Sequence, residues 1–156
     1  MSKAKLVLVC CAILTMFAVP RSLKPQNARG PLAVAQSVKC VFPLMVVATW
    51  TDKGPDVKTK TINKEMRFDK INTEEGTAEL QGDYGKYDII VRYADGYLHF
   101  IQSFLNGPLY TTTVLEKKTA SGKLKAMHSR HEYIDFALVG ITSSPEQYYG
   151  ECEILR

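Results

Sequence analysis

Beyond Gln36 the apolar and polar residues alternate with a period of two, and turn residues interrupt the alternation roughly every 8 to 12 positions. That pattern predicts short β-strands over Val38 to Thr51, Val57 to Ile62, Met66 to Ile71, Thr77 to Gln81, Tyr87 to Ala94, Tyr97 to Leu105, Leu109 to Leu115, Lys123 to Tyr133 and Gln147 to Leu155. Between them stand DKGPD (52–56), TEEG (73–76), GDYGK (82–86), DG (95–96), NGP (106–108) and SGK (121–123). Gly supplies the positive φ these turns need, and Asn and Asp tolerate it. Asp95-Gly96 and Asn106-Gly107 are the strongest hairpin signals. Hairpin-length links favour sequential antiparallel pairing. Eight or nine short strands in so small a domain then close on themselves, which removes the exposed edges. The expected fold is all-β, an antiparallel up-and-down meander of about 8–9 strands closed as a small barrel. Pro43 marks a bend or an edge in the first strand. Ile134 to Thr142 is apolar with little alternation and reads as a lid, a packed loop or a short helix.

Period two also sorts the side chains. Tyr87, Ile89, Val91 and Tyr93 form a core set, with Asp88, Ile90 and Arg92 opposite. In the next strands the order is ambiguous, because both faces are partly apolar. Leu98, Phe100, Gln102 and Phe104 alternate with Tyr97, His99, Ile101 and Ser103; Tyr110, Thr112 and Val114 alternate with Leu109, Thr111, Thr113 and Leu115. Leu124, Ala126, His128 and Arg130 share one face, and Met127, Ser129, His131 and Tyr133 the other. Either choice puts hydroxyls, an amide or imidazoles among apolar side chains in the interior. A buried polar group without a partner costs about 1–3 kcal/mol, so such an interior is hydrogen-bonded, wet or open to a ligand. The candidate ligand-binding residues are His99, Gln102, Tyr110, Thr112, His128 and Arg130. The ordinary alternative is an exposed, Thr-rich β surface.

The amino terminus breaks the pattern. Lys3 and Lys5 precede the apolar run Leu6 to Val19, which is 14 residues long and therefore of signal-peptide rather than membrane-spanning length. Residues 1–35 are read as a signal peptide with a basic, proline-containing leader, and residues 36–156 as the single β-barrel domain. Ala33-Val34-Ala35 is the one A-x-A processing site, well beyond the apolar run; an uncleaved N-terminal anchor is the alternative, and the only membrane contact expected. Cys10 and Cys11 belong to the apolar run. Setting this segment aside leaves Cys40 and Cys152, an even pair in an exported chain, which predicts one disulfide. In a closed meander they lie on neighbouring first and last strands, so this bond would close the barrel.

The formal charge of +4 also belongs to the front. Lys3, Lys5, Arg21, Lys24 and Arg29 are five of the 20 basic residues, and no acid precedes residue 36; the remaining 15 basic residues face 16 acidic ones. A near-neutral body carries no phosphate-binding stripe, and nucleic acid is not expected as a partner. The setting expected is periplasmic or extracellular.

Little catalytic chemistry is written in the chain. There is no G-x-S-x-G, H-E-x-x-H, P-loop, G-x-G-x-x-G, C-x-x-C or EF-hand pattern, so no catalytic residue, cofactor or metal is assigned. The densest cluster is KAMHSRHEY (125–133). His128 and His131 point to opposite faces of a strand, while His128, Arg130 and Glu132 share one and can bind an anion or pair among themselves. Tyr148 and Tyr149 likewise diverge, and Gly150 beside Cys152 signals a close backbone approach or a bulge.

AMHSRHEY (126–133) followed by PEQYYGEC (145–152) resembles the ends of small exported bacterial proteins of uncharacterised function, a resemblance that implies no activity. In strand pattern the chain is similar to calycin-type barrels, the lipocalin and avidin class, although Trp50 stands in ATW without the glycine that lipocalins carry two residues earlier. The functional expectation is an exported, monomeric barrel binding a small, partly apolar ligand. The alternative is an envelope-associated protein-interaction or inhibitory module without a ligand cavity, with an apolar patch around Ile134 to Thr142.

Overall fold

A computed structural model describes residues 29–82, 85–133 and 144–156. Eight strands follow in order: β1 (Ser37–Thr51), β2 (Gly54–Asn72), β3 (Thr77–Gly82), β4 (Gly85–Ala94), β5 (Tyr97–Ser103), β6 (Leu109–Lys118), β7 (Leu124–His131) and β8 (Glu146–Leu155). Each pairs antiparallel with its sequence neighbour, and β8 returns to β1, so the meander is a closed barrel. Closure leaves no unpaired edge. Cys40 stands directly opposite Cys152 across the β1–β8 seam, with 4.0 Å between Cα atoms, and the two form the disulfide.

Two expected strands are one. Val57 to Ile62 and Met66 to Ile71 are joined in the 19-residue β2, because Lys64 and Glu65 pair with Phe42 and Val41 of β1 and the strand runs on through Asn63 to Thr61, paired with Leu44. The register of β1 shifts at Pro43 against both neighbours. Proline has no N–H to give the ladder, and the irregularity absorbs it. Gly150 lies against this site: a Cβ there would come within 2.0 Å of the Val41 carbonyl oxygen and 2.7 Å of Phe42 Cα. Asp95 and Gly96 both take positive φ, 48° and 79°, and link β4 to β5 by the tight turn their sequence predicts. Asn106-Gly107 instead lies inside a wider loop, closed by Phe104 N–H donating to the Pro108 carbonyl at 3.0 Å. The segment Ile134 to Thr142, with its expected lid and apolar patch, lies outside the described residues.

The core runs down the barrel axis. Phe42, Phe68, Phe100, Leu98, Val38, Val91 and Val114 are fully buried, and the rings of Phe68 and Phe100 stack at 3.8 Å. One barrel end is stoppered by a single 3-10 turn, Pro31–Val34, whose Leu32 is fully buried. The domain boundary drawn at residue 35 therefore runs through a packed segment. The opposite end carries the β1–β2 hairpin, the β5–β6 loop and the exit of β7.

Candidate functional site

Register lines up the inward polar residues toward the hairpin end. Direct cross-strand pairing places Phe100, Thr112, His128 and Tyr148 in one inner row, and Gln102, Tyr110, Arg130 and Glu146 in the next. Five of the six sequence candidates thus meet inside the barrel. His99 does not join them; it lies on the outer face, where its Nδ1 hydrogen-bonds Thr113 Oγ1 at 2.9 Å and its ring stacks near Tyr97.

The inner rows are hydrogen-bonded largely among themselves, with the buried Glu146 Oε1 left without a hydrogen-bond partner among the described residues. His128 is buried and its Nδ1 bonds Thr112 Oγ1 at 2.8 Å. Burial, reinforced by the positive charges of Lys64 and Arg130, pushes its pKa down to about 3, so the ring is neutral in ordinary buffers. Arg130 donates to Glu146 Oε2 at 3.1 Å, to Glu132 Oε2 at 2.6 Å and to the Tyr110 hydroxyl at 3.1 Å, with its guanidinium over the Tyr110 ring. Burial alone would lower the Arg130 pKa; the hydrogen bond to Tyr110 and the Glu146 carboxylate outweigh it and hold the guanidinium protonated. Tyr110 donates to Glu132 Oε2 at 2.6 Å, and Tyr148 donates to Glu146 Oε2. Burial and Glu146 push the Tyr148 phenol up to about 12, and burial with Glu132 raises Tyr110. Two tyrosines, an arginine and two carboxylates form a connected network at the rim, in which Arg130 and Glu132 of KAMHSRHEY pair with each other and with Tyr110, and Arg130 also with Glu146.

The space left beside these groups is small. Between Phe68, Phe100, Gln102, Tyr110, Thr112 and His128 it amounts to about 10 Å³, the threshold for a single water. Among the described residues no group of three or more His, Cys, Asp and Glu could hold a metal ion.

The outer face is more distinctive. Pairing carries one outward row through Ile101, Thr111, Ser129, Gln147 and Val46, and the adjacent row through His99, Thr113, Met127, Tyr149 and Leu44. Neither row contains Asp, Glu, Lys or Arg across β5, β6, β7, β8 and β1. Charge lies beyond these rows: Lys39 of β1 pairs with Glu65 of β2, and the opposite side of the barrel, on β2 to β4, is laced with the ion pairs Arg67–Asp69, Lys70–Glu79 and Lys86–Glu79. At the hairpin end the two rows adjoin a shallow depression of about 190 Å³, whose lining joins Val46, Ala48, Val57, Pro145 and Gln147 to the charged Arg130 and Glu146. Trp50, Val57 and Tyr133 rise beside it, each about 60% exposed, with the Trp50 and Tyr133 rings in edge contact at 5.7 Å.

Sequence reasoning did not reach this wall. Its signal was present as the second set of apolar and hydroxyl residues on β5 to β7, which alternation alone assigns equally well to the inside. Among the described residues no helix is long and apolar enough to cross a membrane. No family model, no curated protein and no solved structure matches the chain.

Proposed function

We propose that this protein is an exported protein-interaction module that binds through the outside of its barrel, the uncharged wall of β5, β6, β7, β8 and β1. The observation that carries the reading is the pairing of that wall with exposed Trp50, Val57 and Tyr133. Loss of charge at the centre and enrichment in Trp and Tyr are what separate protein interfaces from ordinary surface. Large exposed side chains in contact with one another are rare on surfaces that stay solvated. The partner is a cell-envelope or extracellular protein that offers an uncharged, partly apolar surface. The disulfide supports an oxidising, exported setting.

A small ligand inside the barrel is less well supported. Small-molecule sites take about 300 Å³ or more, and the inner rows leave about 10 Å³. Photo-crosslinking in producing cells tests the choice. A crosslinking residue at Thr111 or Trp50 captures a discrete partner band, and one at Arg67 on the charged side does not. Equal capture at all three, or none at any, refutes the reading. A band of twice the chain mass identifies a second copy as the partner.

A further inference from the structure

We infer that residues 29–35 belong to the working domain, so that any processing of the exported chain cuts before Arg29 and not at Ala33-Val34-Ala35. The small-residue site has the right composition for a signal-processing enzyme, but its residues serve another purpose. Leu32 is fully buried, and Ala33 and Ala35 are 6% and 4% exposed, in the end of the barrel. Their smallness is a packing requirement there, because a larger side chain would have to displace the core beneath it.

The segment is fastened on both sides. Leu32 N–H donates to Glu116 Oε1 at 2.9 Å, and the Tyr93 hydroxyl donates to the same oxygen at 3.3 Å. Thr73 Oγ1 donates to the Ala33 carbonyl at 2.8 Å, and Ile71 N–H to the Gln36 carbonyl at 3.0 Å. Gly30 fits because it has no side chain: a Cβ would lie 2.1 Å from the Glu116 carboxylate. Further out, Arg29 pairs with Glu74 at 2.6 Å. A cut after Ala35 would remove Leu32 from its slot, leave Glu116 without its backbone donor and open the barrel end to water. Processing upstream, or no processing at all, keeps the stopper.

The intact mass of the exported protein decides the first point. The expected mass corresponds to a chain that begins at or before Arg29; a mature terminus anywhere from Gly30 to Gln36 overturns the inference. The second measurement uses the full exported chain carrying Leu32→Asp. Its melting temperature falls by roughly 10 °C or more, while exposed Val34→Asp on the same turn changes it by no more than about 2 °C. Equal, small effects of the two substitutions show that the segment is not part of the folded domain and overturn the inference as well.

Discussion

Acid should weaken this barrel through one imidazole. His128 sits in the inner row with Thr112 bonded to its Nδ1, the rings of Phe42, Tyr110 and Tyr148 around it, and the charges of Lys64 and Arg130 near by. Its pKa is about 3 in the fold against 6.5 for a free imidazole. The unfolded chain therefore binds a proton at a pH where the folded chain refuses it. Because the folded value is the lower one, the contribution is fully present above pH 6.5 and is lost as the pH falls toward 3. Over the whole range the two values differ by the equivalent of about 5 kcal/mol. At pH 4.5 the unfolded imidazole is favoured about 100-fold, which is about 2.7 kcal/mol and roughly 10 °C in melting temperature.

Carboxylates titrate in the same window, with Asp69, Glu79 and Glu151 all held below their ordinary values. The measurement must therefore be a difference. His128→Leu combined with Thr112→Val removes both partners of the Thr112–His128 hydrogen bond together, a replacement that costs far less at neutral pH than removing either one alone. Urea midpoints of this double variant and of the unaltered chain, taken from pH 7.5 to 4.5, should converge or cross by about 2.7 kcal/mol. Parallel pH profiles would refute the reasoning, since they would mean that His128 is solvated or protonated in the fold.

Three other outcomes follow from the closed barrel. Reducing the Cys40–Cys152 bond, which spans 112 residues of sequence, should lower stability by about 4–5 kcal/mol, read as a shift of the urea midpoint with and without reductant. Gly150→Ala should destabilise by about 3 kcal/mol or more, because its Cβ meets the backbone of Val41 and Phe42 rather than a movable side chain; an unchanged midpoint would show that β1 and β8 do not approach there. Arg130→Met should cost about 3–5 kcal/mol by leaving Glu146 and Glu132 without their cation, and adding Glu146→Gln should recover part of it.

The strand class, the meander and the closing disulfide were legible because each has a local signature: period two, Asp95-Gly96, and cysteines on the first and last strands. The fusion of two expected strands into β2 was not. Asn63, Lys64 and Glu65 look like a polar break, and only the pairing of Lys64 and Glu65 with the long partner β1 carries the strand through them. The bulge at Pro43 and the glycine at 150 were each visible singly, while their meeting across the β1–β8 seam depends on register. At the inner rows, Thr112, His128 and Arg130 were legible as residues that can face inward, but the network they join was not, because Glu146 arrives through β8.

The deeper ambiguity lay in which face of β5 to β7 turns inward. Where one face is charged, period two fixes the inside, since burying an unpaired charge is prohibitive; Asp88 and Arg92 settle β4 in this way. On β5 to β7 both faces are uncharged through the middle of the strands, and a one-residue slip would exchange Thr112 and His128 for Thr113 and Met127. Closure decides it: the inward row must meet Phe42, Phe68 and Tyr148 from the other side of the barrel, and the set led by Phe100 does so. An interior chosen in this way is filled by its own rings and hydrogen bonds. The uncharged residues left over then stand together outside, which is why the proposed interaction is assigned to that wall and not to the interior.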